Sequence, residues 1–236
     1  MAEGKRKILV LVEGAKTDAA LMGRLLSTYQ IDAKYEIVSY RTNIYTLYQE
    51  MFEENDPSDM DLLGLLKSRE SDPAKKTMFD DFYSDIFLIF DLDPQDPGFT
   101  PNKIRRLARY FVESSDMGKL YINYPMVEAF YHMASIPDPK FDSYYASLDE
   151  LRAGGYKARV NRENRDHDYR KFAATKEECS VVIAQNMDKA WGLVGGGPGD
   201  GLPPAQIGII EAQLDSIRSD RRVAVLSAQH LRFLCS

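Results

Sequence analysis

Two groups of acidic residues stand directly after runs of apolar residues. Glu13 follows the run "ILVLV", and Asp18 lies five residues further on. Asp91 and Asp93 end a second run, "IFLIF". Near-continuous apolar runs are typical of parallel strands that are covered on both faces, and ligands bind at the carboxyl ends of such strands. These acids are therefore candidates for a site at one edge of a sheet.

The chemistry that paired carboxylates favour is cation binding. On an extended segment, Asp91 and Asp93 point the same way because they are two residues apart. Like charges held so close repel each other and raise each other's pKa, and hard carboxylate oxygens suit Mg²⁺ or Mn²⁺. The predicted ligands are the acids that follow the three most apolar runs, the third of which is "LYINYP": Glu13, Asp18, Asp91, Asp93 and Glu128.

A purely structural interpretation of these acids is also open. A single acid at the end of a strand often caps a helix or forms a turn. Asp91, Asp93 and Asp96 could all be turn residues that precede Pro94 and Pro97. A Glu-Gly pair after one buried strand and an Asp-x-Asp after another have no obvious common structural cause, and this combination favours the metal interpretation.

The elements that must position the acids alternate along the first part of the chain. Strand-type and helix-type segments follow one another up to about residue 135, which predicts an α/β sheet with right-handed crossovers. We predict a metal-binding core at 1–138 and a mainly helical extension at 139–236, with a late strand at "RRVAVLS" and a linker at 195–204. Strands are predicted at "KRKILVLVE", which should end near Val12, and at "KYEIVSYR", "DIFLIFDLD" and "KLYINYP". Helices are predicted in the core at 15–29, "NIYTLYQEMFEEN", "DLLGLLKSRE", "AKKTMFDDFY", "PNKIRRLARYFVESSD" and "VEAFYHMAS". In the extension they are predicted at "FDSYYASLDELRAG", "TKEECSVVIAQNMDKAWGLV" and "PPAQIGIIEAQLDSIRSD".

The segments "VEGAKTD" and "FDLD" resemble the Toprim fold, which topoisomerases, primases and several nucleases share. In that fold a Glu ends the first strand, an Asp-x-Asp ends a later one, and together they bind Mg²⁺ and act on phosphodiesters. The match falls on Glu13, Gly14, Asp91 and Asp93, and it covers residues 6–135. The resemblance implies a Toprim-like, mainly parallel sheet flanked by helices and a metal-dependent endonuclease that hydrolyses DNA or RNA.

The finer pattern is similar to the RloB-like and OLD-family bacterial defence nucleases. Those proteins show Glu-Gly-x-Thr-Glu or Glu-Gly-x-Lys-Thr-Glu, so Asp18 stands where their second acid would be. RloB-like proteins also resemble "NYPMVEAFYHM", in which Asn123, Pro125 and Glu128 take the matching places. Two departures are Asp18 in place of Glu and Tyr124 between Asn and Pro. The resemblance implies an anti-phage defence effector.

The roles that this resemblance implies leave some alternatives open. Asp91 and Asp93 would hold the ion, and Glu13 would be a ligand or the general base. Asp18 and Glu128 could complete a second metal site, since two ions about 3.5–4 Å apart can stabilise both attacking and leaving oxygens. Lys16 could neutralise developing charge, or it could be a solvated lysine. OLD proteins carry an ATPase domain in the same chain, whereas this chain has no Walker motif, so a separate ATPase partner is expected.

A basic segment at 152–171 is the candidate surface for nucleic acid. Seven basic and three acidic side chains give it a charge of +4 within a chain of net charge −6. Two tyrosines are interleaved with the basic residues, and such a stretch suits a phosphate backbone. A solvated helix face with local ion pairs is the alternative. The predicted contacts are Arg152, Lys157, Arg159, Arg162, Arg165, Arg170 and Lys171.

Composition and cysteine spacing indicate the class of protein and its compartment. The sequence has no apolar run as long as the ~20 residues of a membrane span, and its two cysteines, Cys179 and Cys235, lack metal-type spacing. We therefore expect free thiols in a cytoplasmic protein, and the oligomeric state is left open. His132, on an aromatic segment, is expected in the core, and His167 has a more polar neighbourhood.

Three other functional interpretations compete with the nuclease. A haloacid-dehalogenase-type phosphatase would use the "DLDPQ" segment, but Gln95 stands where its Thr belongs. A receiver-like domain would need an acidic pair after the first strand, and Glu13 has no acidic neighbour. The third is a non-catalytic Toprim-like subunit that binds a partner ATPase or nucleic acid and keeps the acids without using them.

Overall fold

A five-stranded, mainly parallel sheet forms the centre of the fold. The computed structural model describes residues 6–30, 33–57, 61–115, 117–197 and 204–228. The strands of the sheet are β1 (Lys7–Val12), β2 (Lys34–Ser39), β3 (Asp85–Asp91), β4 (Val112–Glu113) and β5 (Gly118–Asn123). Their order is β2-β1-β3-β5-β4, and β4 alone among these five runs antiparallel to its neighbour. The predicted α/β class with a mainly parallel sheet is confirmed.

Helices flank this sheet and also make up most of the C-terminal half. Several of them begin at a residue whose side chain accepts a hydrogen bond from a first-turn N–H, which satisfies one of the free donors there. The helices are α1 (Thr17–Thr28), α2 (Ile44–Phe52), α3 (Leu62–Arg69), α4 (Pro73–Lys76), α5 (Pro101–Tyr110), α6 (Leu148–Arg152), α7 (Tyr156–Glu163), α8 (Lys176–Leu193) and α9 (Gln206–Asp220).

The central strands are buried because both of their faces are covered. All side chains from Ile8 to Val12 in β1 and from Ile86 to Phe90 in β3 are buried. β2 forms an edge of the sheet, and its residues are exposed or half-buried. Each apolar run therefore ends where the sheet meets solvent, which puts the acids that follow the runs at the carboxyl edge.

The C-terminal half is attached to the sheet rather than separate from it. A second, two-stranded sheet pairs β6 (Tyr145–Ser147) with β7 (Arg222–Ala224). Tyr124, just after β5, exchanges two backbone hydrogen bonds of 2.8 Å with Leu226. Arg105 on α5 makes an ion pair of 2.7 Å with Glu211 on α9. The last described residues thus continue the hydrogen bonding of the core.

Several predicted elements differ from those observed. The helix predicted from 101 to 116 ends at Tyr110, because the chain turns there to form β4 and pair with β5. The segment "FDSYYASLDELRAG" contains β6 as well as a helix, since its partner β7 lies some 75 residues further along. These contacts between distant segments leave no local pattern in the sequence.

The helix predicted at "VEAFYHMAS" was wrong. Only a five-residue 3₁₀ turn, Val127–Tyr131, forms there. Asn164 Nδ2 donates to Tyr131 O at 2.6 Å, and Arg165 N donates to Met133 O at 2.9 Å. Residues 164 and 165 therefore bind carbonyls that a continued helix would have used itself.

Some predictions fall outside the described residues. Most of the linker predicted at 195–204 and the thiol of Cys235 lie there. Cys179 is buried and free. Among the described helices, none is both long and apolar enough to cross a bilayer.

Gly118, the first residue of β5, should not tolerate a side chain. Its φ is +103°, and an added Cβ would lie 2.6 Å from Leu88 Cδ1 on β3. Strain and overpacking together should lower the free energy of unfolding of Gly118→Ala by about 2–3 kcal/mol, as measured by urea unfolding. Gly192→Ala in α8 is the matched control, because an added Cβ meets nothing within 4 Å, and it should be neutral or stabilising by up to about 1 kcal/mol. Equal losses in both variants would contradict this account of Gly118.

Candidate metal centre

Three carboxylates converge at the carboxyl edge of the sheet. Parallel pairing of β1 with β3 places Val12 opposite Ile89, so Glu13 emerges beside Asp91. The Asp91 N–H donates a hydrogen bond of 3.1 Å to Glu13 Oε2. One ligand oxygen from each of Glu13, Asp91 and Asp93 lies within 4.8 Å of the other two. We refer to these three residues as the acidic cluster.

Asp91 is held in place from the neighbouring strand. It is buried, and its Oδ1 accepts a hydrogen bond of 3.0 Å from Asn123 Nδ2 at the end of β5. Asn123 Oδ1 in turn accepts from Ala228 N at 2.9 Å. Asn123 is itself fully buried. The amide side chain therefore connects the acidic cluster to the C-terminal end of the described chain.

Asp93 reaches the cluster through a turn and not along a strand. β3 ends at Asp91, and Asp93 has a left-handed φ of +39°, which Asp tolerates better than most residues. Its N–H donates to Pro125 O at 3.1 Å, and its Oδ1 accepts from Gln95 Nε2 at 3.0 Å. The expectation of an extended Asp-x-Asp segment was wrong, because Leu92 is buried and the chain turns around it.

Gly14 makes room for Asp18. A Cβ at position 14 would collide with Asp18 Oδ2. Asp18, in the first turn of α1, is buried and accepts a hydrogen bond from the Gly14 backbone. Its other oxygen, Oδ1, is buried and has no hydrogen-bond partner among the described residues. The Gly of the "EG" pair thus allows a second acid to approach Glu13.

Glu128 and Lys157 lie on the β5 side of the acidic cluster. Glu128 is buried in the 3₁₀ turn after β5, and its Oε1 lies 3.3 Å from Lys157 Nζ on α7. Glu128 Oε2 is buried and unpartnered within the described chain. The Lys157 side chain is 64% exposed and therefore lies at the rim, while its ammonium group contacts the buried Glu128.

All of these groups line one pocket of about 340 Å³. Its acids are all five of the predicted metal ligands. The C-terminal half supplies part of the wall, which sequence reasoning missed because its position relative to the sheet leaves no sequence signal. The lining residues are Glu13, Gly14, Thr17, Asp18, Asp91, Asp93, Gln95, Met126, Val127, Glu128, Leu151, Gly154, Tyr156 and Lys157.

Burial and mutual repulsion raise the pKa values of Glu13, Asp18, Asp91 and Asp93. Burial raises the pKa of Glu13 to about 8, and the negative charges of Asp93 and Asp18 add to the effect. Burial likewise raises the pKa of Asp18 and of Asp93. It raises the pKa of Asp91 well above its usual range, with the charge of Glu13 as the next cause. The acids therefore hold protons more tightly than free carboxyls do.

The donor set fits a hard divalent cation. Carboxylate oxygens within 4.8 Å of one another match the ligands that Mg²⁺ and Mn²⁺ prefer. Burial of the unpartnered oxygens of Asp18 and Glu128 destabilises the fold unless a cation or a hydrogen-bond donor binds them. Glu13, Asp91 and Asp93 would form the primary site, with Asp18 and Glu128 on its two flanks.

Other residues singled out in the sequence lie elsewhere. Lys16 is exposed at the start of α1 and does not line the pocket; Lys157 is the lysine that does. His132 is fully buried, with Nε2 3.0 Å from Glu163 and Nδ1 3.2 Å from the Tyr156 hydroxyl. His167 is exposed, outside the pocket lining.

The basic segment at 152–171 divides into two kinds of residue. Arg159 and Arg165 are largely covered: Arg159 pairs with Glu150 at 2.8 Å, and Arg165 pairs with Glu178 at 2.7 Å. These two arginines join neighbouring elements. The other residues of the segment are exposed: Arg152, Lys157, Arg162, Arg170 and Lys171. Arg152, Arg162 and Arg170 each pair with an acid within three residues along the chain, whereas Lys157 pairs with the distant Glu128.

The raised pKa of Glu13 predicts a pH-dependent stability in EDTA. Above about pH 4.5 the unfolded chain releases this proton, whereas the folded, metal-free protein keeps it up to about pH 8. Because the unfolded state binds fewer protons in this window, the free energy of unfolding should fall as pH rises through it, on the order of 2 kcal/mol. Urea unfolding at several pH values measures this loss.

Glu13→Gln should flatten the decline, because Gln can still accept the Asp91 N–H but does not ionise. Glu177→Gln, at an exposed position on α8, should leave the decline unchanged. Saturating Mg²⁺ should restore stability in the wild type at pH 8. An equally steep decline in Glu13→Gln would assign it to other groups.

The chain matches no protein-family model, no curated protein and no solved structure. The functional argument therefore depends on the geometry of the pocket.

Proposed function

We propose that this chain is a Mg²⁺- or Mn²⁺-dependent nuclease that hydrolyses phosphodiester bonds of DNA or RNA. The observation that carries the proposal is the convergence of Glu13, Asp91 and Asp93 within 4.8 Å at the carboxyl edge of a mainly parallel sheet. Buried acids with raised pKa values are costly to keep, and a bound cation offsets this cost. The resemblance of "VEGAKTD" and "FDLD" to Toprim nucleases supports the same reaction class.

Two residues of the pocket, Glu13 and Lys157, have distinct roles in this reaction. A divalent ion, when bound, supplies Lewis-acid polarisation of a phosphoryl oxygen and a lower pKa for an attacking water. Glu13 Oε2 accepts the Asp91 N–H, which leaves Oε1 available to bind the metal ion or to accept a proton. Burial lowers the pKa of Lys157, but the charges of Glu128 and Asp91 outweigh burial and raise it, so this ammonium stays positive at the rim.

The biological setting is proposed from the resemblance to RloB-like and OLD-family proteins. It consists of a role in anti-phage defence and a separate ATPase that restrains the nuclease or presents its substrate. A non-catalytic subunit that binds nucleic acid or such an ATPase is the alternative function. Cleavage assays on plasmid DNA, single-stranded DNA and tRNA, with and without Mn²⁺ and a candidate ATPase, separate the two.

Asp91→Asn should abolish cleavage while the fold survives. Loss of one ligand charge should reduce the cleavage rate about 100-fold or more, because metal-ion stabilisation amounts to several kcal/mol. The side-chain carbonyl of the substituted amide can still accept the hydrogen bond from Asn123, and the change removes repulsion with Glu13. The melting temperature in EDTA should therefore be unchanged or higher.

The matched control for this variant is Asp215→Asn, an exposed acid on α9. It should keep wild-type cleavage and wild-type Mn²⁺ affinity in titration calorimetry. Equal cleavage by wild type and Asp91→Asn would overturn the metal-nuclease proposal. If wild type binds Mn²⁺ but cleaves nothing under any condition, the non-catalytic alternative becomes the better account.

The basic segment should separate into structural and binding residues. Arg159→Ala and Arg165→Ala should lower the free energy of unfolding by about 1–3 kcal/mol, because each removes an ion pair between a half-buried carboxylate and a neighbouring element. Arg162→Ala and Arg170→Ala should change stability by less than about 0.5 kcal/mol. On duplex DNA each should flatten the salt dependence of binding by about 0.9 log unit per lost phosphate contact. Unchanged binding by the two exposed variants would assign the segment to a solvated surface.

A further inference from the structure

A second cavity adjoins the acidic pocket on the side of β2. Its volume is about 380 Å³, and its lining is Glu13, Gly14, Ala15, Arg41, Thr42 and Asn43. Glu13 and Gly14 line the acidic pocket as well, so the two cavities share a wall. A chain molecule bound at the acidic cluster can extend into this second cavity over Gly14, which has no side chain.

Arg41 is fixed beside Glu13 in an uncommon backbone conformation. Its φ is +64°, a left-handed value that few residues other than glycine adopt. Its N–H donates to Glu13 O at 3.0 Å, and the preceding Tyr40 N–H donates to Val12 O at 2.8 Å. Arg41 also lines a larger groove of about 550 Å³ along β2. The strained backbone thus places this side chain where the second cavity opens to solvent.

The polar groups of the second cavity have spare hydrogen-bonding capacity. The Arg41 side chain is exposed, and within the described chain no carboxylate forms an ion pair with it. By contrast, Arg69 in the same groove is already paired with Glu50 and lies over the Tyr40 ring. The hydroxyl of Thr42 is buried and lacks a hydrogen-bond partner among the described residues. The Arg41 guanidinium can donate to an anion directly, and the Thr42 hydroxyl can do so once its side chain rotates towards the cavity that Thr42 lines.

The charges along the sheet edge follow the order of the strands. Arg41 follows β2, Glu13 follows β1, and Asp91 ends β3. Lys157 pairs with Glu128 beyond β5. Neighbouring strands are about 4.8 Å apart. A positively charged side chain therefore lies on each side of the acids. A phosphate backbone that crosses the strand ends would contact Arg41 on one side and Lys157 on the other.

We propose that Arg41, together with the Thr42 hydroxyl, binds a backbone phosphate next to the bond that the acidic cluster cleaves. A guanidinium binds phosphate oxygens with two parallel hydrogen bonds, and such contacts position a nucleic acid without reading its sequence. The inference rests on the proposed function. It adds the direction of the substrate, which crosses the sheet edge towards β2.

The test measures binding separately from cleavage. The probes are fluorescein-labelled 20-nucleotide single strands of DNA and of RNA, bound by the Asp91→Asn protein so that no cleavage occurs. Added Arg41→Ala should weaken binding about tenfold or more, since it removes charge-assisted hydrogen bonds to a phosphate. It should also reduce the salt slope by about 0.7 for one lost phosphate contact. Arg41→Lys should recover part of the affinity.

The matched control is Lys34→Ala, which removes one positive charge from the exposed, opposite end of β2 and should change neither affinity nor slope. In the otherwise wild-type enzyme, Arg41→Ala should raise KM with kcat little changed and leave Mn²⁺ affinity unaltered. Wild-type binding by Arg41→Ala, a loss equal to that of Lys34→Ala, or no binding by the parent protein would each overturn the inference. Binding that depends on Arg41 without any cleavage by wild type would overturn the nuclease proposal and leave the phosphate site standing.

Discussion

Parallel pairing between β1 and β3 is the constraint on which the site depends. It brings two buried strands to the same edge in a register that sets Glu13 beside Asp91, and the Asp91 N–H then binds the Glu13 carboxylate. The ionised carboxylates repel one another, so their charges do not bring them together. The free energy that holds them comes from the apolar strands behind them, whose side chains are buried on both faces.

The surroundings of the acidic cluster then decide what it can do. Asn123 fixes Asp91 from one side, Gly14 admits Asp18 from another, and Lys157 limits the negative charge at the rim. Burial removes the carboxyls from water, which raises their pKa values. A bound divalent cation would compensate their negative charge. Support for the fold and support for the chemistry therefore come from the same few contacts.

Part of this arrangement could be predicted from the sequence, and the reasons for success and failure are physical. The strands before Glu13 and Asp91 were predictable because buried parallel strands carry a local signature of continuous apolar residues. The convergence of the acids followed from the rule that such strands share a carboxyl edge. The extended conformation expected at Asp93 was wrong, because the turn that forms there depends on the burial of Leu92 and on the distant Pro125 carbonyl. The positions of Tyr156 and Lys157 in the pocket wall depend on how the C-terminal half packs, which no short pattern records.

The "EG" pair at positions 13 and 14 is constrained by two unrelated pressures. Gly14 leaves room for the Asp18 carboxylate, which any side chain at position 14 would have to displace, whereas ionisation of the buried Glu13 destabilises the metal-free fold. A library of variants sorted only for folded protein in a chelating buffer would keep the glycine and discard the glutamate. The same library sorted for function would keep both. Two adjacent residues of one motif can thus be kept for different reasons: Gly14 for the space that it leaves, and Glu13 for the chemistry that we propose.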